Sequence, residues 1–260
     1  MRLYYEVTGS GAPVVFLHPG IADSRVWAPQ WSSFAGSYRL VRCDLPGYGR
    51  TPLDGPVVRY GQDVVDVLAE LEISGAALVG CSLGGRIALE IAIARPDLVG
   101  ALVLVGAGLP IEEPSEAMRL YDEAETEAVA RGDLAAATEA NLRMWVDGPR
   151  RGPGDVDPAV RAAIGEMQLH ALVQQVPGWD DLSAEWLVES VGERLGEITV
   201  PTLILVGEED AEEMQGFAEV FENAIAGSRR VTIEGTAHVP NLERPDVFDA
   251  LVLDFLAAAL

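Results

Sequence analysis

Ser82 stands at the centre of Gly80-Cys81-Ser82-Leu83-Gly84. These five residues follow the apolar run Ala76-Ala77-Leu78-Val79 and precede a helical-looking stretch from Arg86 to Ile93. Strand, sharp turn and helix with a serine at the apex is the setting in which a G-x-S-x-G pattern carries chemistry, because the turn pushes the hydroxyl out beyond the sheet edge. A side chain at Gly80 or Gly84 would collide where the turn packs strand against helix. A serine hydroxyl attacks only when a base takes its proton, and the base needs an acid to orient it. The histidines are His18, His170 and His238. His238 lies in Gly235-Thr236-Ala237-His238-Val239-Pro240-Asn241-Leu242-Glu243, between the last strand-like run and the last helical one. For the acid, Glu208, Glu209 and Asp210 follow the run Thr202–Val206, and Asp210 is the first choice among them. The preceding strand-like run, Ala101–Val105, is followed by no carboxylate before Glu112. Ser82, Asp210 and His238 would then share the carboxyl edge of a parallel sheet, where sites form in open α/β folds, and the chemistry would be acyl transfer through serine.

The elements that must position these residues alternate along the chain. Strand-like runs occur at Leu3–Val7, Val14–Leu17, Arg39–Cys43, Ala77–Cys81, Ala101–Val105, Thr202–Val206 and Arg229–Ile233. Helical patterns fill 57–72, 84–95, 211–225 and 244–258. Such alternation predicts an α/β fold with a parallel sheet covered on both faces. Val103-Leu104-Val105 has no polar alternation, as a strand buried on both sides requires. Residues 108–196 break the pattern, with helical periodicity, no strand-like run, and Pro/Gly punctuation at 148–158. They read as a helical insertion between two sheet strands.

The 260 residues are near the upper end for one domain. No apolar stretch of about 18 residues is present, so no membrane span is expected, and the polar start Met1-Arg2-Leu3-Tyr4-Tyr5-Glu6 does not resemble a signal peptide. A cytoplasmic location is the expectation. The formal net charge of −23 opposes binding to nucleic acid or an anionic membrane surface. The basic residues are all arginine. Two isolated cysteines, Cys43 and Cys81, give neither a zinc-site spacing nor a disulfide framework.

Five collinear blocks carry a resemblance. They are Val15-Phe16-Leu17-His18-Pro19-Gly20, Asp44-Leu45-Pro46-Gly47-Tyr48-Gly49-Arg50, Gly80 to Gly85, Pro201 to Asp210, and His238 to Pro245. In order and spacing the chain resembles the α/β-hydrolase superfamily along nearly its whole length. The resemblance implies a mostly parallel sheet of seven or eight strands, a core at 1–107 and 197–260, and a helical cap at 108–196. In that fold another strand lies between those of Cys43 and Cys81, about 9–10 Å apart, beyond disulfide reach. The resemblance also implies an oxyanion hole built from the Leu83 N–H and one from the His18 loop. Gly20 is the first candidate for the second donor and Ile21 the other, since Pro19, where many relatives have glycine, has no N–H. His18 itself is expected to hold its loop by hydrogen bonds rather than to react. Candidate pocket residues are Ile21, Trp27, Trp145, His170 and Val239, although His170 also fits an ordinary helix position. The implied activity is cofactor-independent and metal-free hydrolysis of a carboxylic ester or lactone, as in small bacterial esterases and enol-lactonases. The substrate would be a small molecule, uncharged and partly apolar. C–C bond hydrolysis, perhydrolysis and lyase chemistry use the same triad, and some relatives are small-molecule receptors with little turnover. The sequence leaves self-association into a homo-oligomer open.

Overall fold

The computed structural model describes residues 2–260. Nine strands are present among the described residues: β1 (Tyr4–Thr8), β2 (Pro13–Leu17), β3 (Arg39–Asp44), β4 (Val57–Val58), β5 (Ala76–Cys81), β6 (Val99–Val105), β7 (Ser183–Ala184), β8 (Thr202–Gly207) and β9 (Arg229–Ile233). Seven of them form one sheet in the order β1-β3-β2-β5-β6-β8-β9. All its pairs are parallel except β1 with β3. Every residue of β5 and β8 is buried, which is why these strands read as unbroken apolar runs.

The two-residue period of a strand divides the core into two layers. Val15, Leu17, Leu78, Leu102, Leu104 and Ile204 face one layer, shared with Val64, Leu68 and Leu89. Val14, Phe16, Val79, Val103, Val105, Leu203 and Leu205 face the other, shared with Phe248, Val252 and Leu256 of the helix Pro245–Ala259. Trp27 belongs to this second layer. It is fully buried, with its ring centroid 5.1 Å from Phe16 and 6.1 Å from Phe248. This corrects the expectation that Trp27 lines a pocket: the indole fills the space between sheet and helix.

All seven strand-like runs of the sequence are strands of the sheet. The helix Ala28–Phe34 and the pair β4–β7 are additions. β7 lies at 183–184, so the segment after β6 is not free of strand. That segment is otherwise helical, with Glu116–Ala130, Leu134–Asn141, a π-helical stretch Leu142–Asp147, and Pro158–Gln175. Its helix starts are legible. Ser115, Asp133 and Asp157 each accept a bond from a first-turn N–H, and Pro158 opens the helix Pro158–Gln175. Each such cap is worth about 1 kcal/mol. No helix among the described residues is long and apolar enough to cross a membrane. Cys43 and Cys81 are free and buried. Burial pushes the Cys43 thiol up to about 12 and the Cys81 thiol well above its ordinary value, which leaves both inert as nucleophiles.

Candidate active site

Ser82 has φ 50° and ψ −113°, one of two non-glycine residues at positive φ among those described. A side chain in that region is strained by about 1–3 kcal/mol and persists only where its surroundings fix it. The surroundings here are backbone. A carbon added at Gly80 would lie 2.3 Å from the Gly84 carbonyl oxygen, and one added at Gly84 would lie 2.2 Å from that of Leu17. These two glycines let strand, turn and helix approach closely enough to form the elbow. The Ser82 N–H donates to the Val105 carbonyl on β6 at 2.9 Å, and the Ser82 side chain makes no capping bond to its own helix. Leu83 opens the helix Leu83–Ala94, so its N–H is one of those a helix leaves without an internal acceptor, at the positive end of the dipole.

His238 and Asp210 are buried to about 1% exposure. His238 Nδ1 lies 2.9 Å from Asp210 Oδ2 and 3.1 Å from Oδ1, and Oδ1 also accepts the Ala211 N–H. Glu208 and Glu209 do not share this contact. Glu208 accepts from the Gly235 N–H and Glu209 pairs with Arg150. The pair meets the elbow through its neighbours. A carbon at Gly106, next to Val105, would lie 3.0 Å from both Asp210 Oδ2 and His238 Nδ1, and Cys81 Sγ lies 3.4 Å from the His238 carbonyl oxygen. The loops after β5, β8 and β9 thus converge, as their motif order requires.

Gly20 faces the elbow. Its Cβ position lies 4.0 Å from Leu83 Cδ2 and 3.5 Å from Tyr48 Oη. His18 anchors this loop from below. The Leu45 N–H donates to His18 Nε2 at 2.9 Å, so Nδ1 carries the proton and donates to the Pro19 carbonyl at 2.9 Å. Burial pushes the His18 pKa down, which keeps the imidazole neutral in that tautomer. Ile21 and Val239 are buried in the apolar layer that holds Trp27.

Of the pocket candidates, Trp145 comes to the site. Its ring centroid lies 4.6 Å from that of His238, and its carbonyl accepts the His238 N–H at 3.1 Å. Tyr121 stands edge-on to Trp145 at 5.7 Å and hydrogen-bonds Asn141 and Glu125. His170 does not join this group. It is exposed, lies 2.9 Å from the Gly49 carbonyl oxygen through Nε2, and lines a cleft of about 780 Å³ with Arg25, Arg50, Glu166 and Leu169. Ser82, Asp210 and His238 do not line that cleft. His170 sits there because the helix Pro158–Gln175 lays it against the loop after β3, with Gln174 and Gln175 bonded to Gly49 and Gly47. Sequence reading also passed over Tyr48 and Glu243, although both lie inside recognised blocks.

The alpha/beta hydrolase family model matches residues 14–251. A protein named putative carbamate hydrolase RutD from Rhizobium rhizogenes is 26% identical, over 98% of both chains. Among solved structures, the esterase RhEst1 from Rhodococcus superposes with a TM-score of 0.80 at 26% identity, over 99% of this chain and 95% of that one. Est816, described as an N-acyl homoserine lactone degrading enzyme, superposes with a TM-score of 0.76 at 25% identity, over 97% and 96%.

Proposed function

The chain belongs to the alpha/beta hydrolase family, and on that premise we propose that it is a cofactor-independent serine hydrolase opening a carboxylic ester or lactone through an acyl-enzyme on Ser82. The observation that carries this reading is the buried His238–Asp210 pair, Nδ1 against both carboxylate oxygens, in loops that meet a serine held at positive φ. With its Nδ1 proton directed at Asp210, the imidazole keeps a lone pair on Nε2. That nitrogen takes the Ser82 proton as Oγ bonds to the acyl carbon. The carbonyl oxygen becomes an oxyanion held by the Leu83 N–H and by that of Gly20 or Ile21, and each such donor is worth on the order of 10²–10³ in rate. His238 then gives its proton to the leaving oxygen. Water, deprotonated by His238, attacks the acyl-enzyme and releases the acid, returning Ser82 to its starting state.

The helical segment between β6 and β8 serves in this reading as a lid. Trp145 and Tyr121 would present an aromatic wall to the substrate, which suits an uncharged, partly apolar molecule. A second reading, carbamate cleavage, rests on the relative of that name, which aligns over 98% of both chains. A carbamate offers Ser82 the same kind of carbonyl.

Steady-state assays with p-nitrophenyl esters, lactones and aryl carbamates test the reading. Turnover of an ester or lactone, lost to background in Ser82→Ala, is the expected result. Cleavage of carbamates alone would support the second reading over the first. Turnover that survives Ser82→Ala would overturn both.

A further inference from the structure

Trp145 to Arg151, from the π-helical stretch and the turn after it, lie against the two loops that carry the acid and the base. The Trp145 carbonyl accepts the His238 N–H. A carbon added at Gly148 would lie 2.3 Å from the Glu209 carbonyl oxygen and 3.2 Å from Ala237 Cβ. Arg150 donates to the Glu208 carbonyl and to the Glu209 carboxylate. Arg151 is the most heavily engaged. Its guanidinium donates to the Val146 carbonyl at 3.0 Å and the Asp147 carbonyl at 2.7 Å on its own segment. It also donates to the Gly235 carbonyl at 2.7 Å and to Glu243 Oε2 at 2.8 Å on the base loop. The other Glu243 oxygen accepts the Ala237 N–H, next to His238, at 2.7 Å. The Arg151 and Glu243 side chains are only 12% and 7% exposed.

The fixed fork of a guanidinium suits this task. It binds several acceptors at set angles, which an ammonium cannot do. Carbonyls at the end of a helical stretch lack helical donors, and a side chain can supply them.

We infer that Arg151, acting through Glu243 and the Gly235 carbonyl, is a positioning residue that fixes the backbone on the N-terminal side of His238 and so sets the imidazole for proton transfer. The inference rests on the serine-hydrolase reading. It gives the insertion a second duty besides covering the site: removing Arg151 would leave Ser82, Asp210 and His238 in place by sequence but loosen one of them.

The test compares wild type, Arg151→Ala, Arg151→Lys and Glu243→Gln in fluorophosphonate labelling rate and in ester kinetics. For Arg151→Ala the expected result is a labelling rate and a kcat each reduced about 10- to 100-fold, with KM changed less than about threefold, on the scale that small misplacements carry. Added guanidinium ion should restore part of the rate to Arg151→Ala and none to wild type. Arg151→Lys, lacking the fork, should stay impaired. Glu243→Gln keeps an acceptor for the Ala237 N–H and loses the ion pair, so it should fall between wild type and Arg151→Ala. It decides the matter if Arg151→Ala does not fold. Wild-type labelling with unchanged rates in the folded variants would overturn the positioning role while leaving the nucleophile intact. Wild type that does not label at all would instead overturn the serine-hydrolase reading beneath it.

Discussion

Ser82 and His238, the proposed nucleophile and base, are held in place by different parts of the molecule. Ser82 is fixed from within the sheet layers by Gly80 and Gly84 packed onto neighbouring backbone and by the Val105 carbonyl. His238 is fixed from outside the sheet as well, by the Trp145 carbonyl and by Arg151 through Glu243. The first support is close backbone packing with one backbone hydrogen bond, and it belongs to the sheet core. The second is a set of directed hydrogen bonds from a segment 84 to 93 residues away in sequence. Damage to the first should appear as lost stability, and damage to the second as lost rate in a folded protein.

The largest separation of the two is expected at Asp210. Asp210→Asn keeps the shape of the pair but lets the wrong imidazole tautomer form, and kcat should fall by about 10⁴-fold with unfolding little changed in urea. A drop of tenfold or less would mean that His238 does not depend on this carboxylate. On the nucleophile side, Gly84→Ala drives a methyl against the Leu17 carbonyl. Overpacking against backbone should cost about 3 kcal/mol or leave no folded protein, seen as a lower urea midpoint or as insoluble expression. A variant as stable as wild type would show that the elbow has room that the close contact denies.

A smaller effect probes the same side by pH. Burial lowers the folded-state pKa of His18, so below the ordinary imidazole value of about 6.5 the unfolded chain binds a proton that the folded chain refuses. Stability from this group is complete above that value and declines as pH falls, by up to about 1.4 kcal/mol per pH unit. Urea unfolding between pH 6.5 and 5.5 should show a flatter slope for His18→Asn than for wild type, with lower stability throughout. Equal slopes would mean that the loop beneath Gly20 accepts a charged imidazole.

The sheet was legible because parallel strands buried on both faces must be continuous apolar runs, and the glycines of the elbow are visible as letters. The pairing of Asp210 with His238 was legible from motif order. Trp27 misled because an indole next to a motif loop looks like a pocket wall, whereas its ring fills the gap between Phe16 and Phe248. His170 misled because helical periodicity does not say which side of the insertion meets the site. The strands β4 and β7 have two residues each and exist through their pairing with one another. The π-helical stretch around Trp145 differs from an α-helix by one residue per hydrogen bond, which no letter records. Arg151 was invisible for a related reason, since every partner it has on the base loop is set by how the insertion docks.

Incubation with a fluorophosphonate probe, followed by intact-mass and peptide mapping, tests the central claim most directly. The account predicts one added probe per chain, located on Ser82 and absent from Ser82→Ala. An unmodified wild-type protein at pH 8, or a probe that maps to another residue, would contradict it.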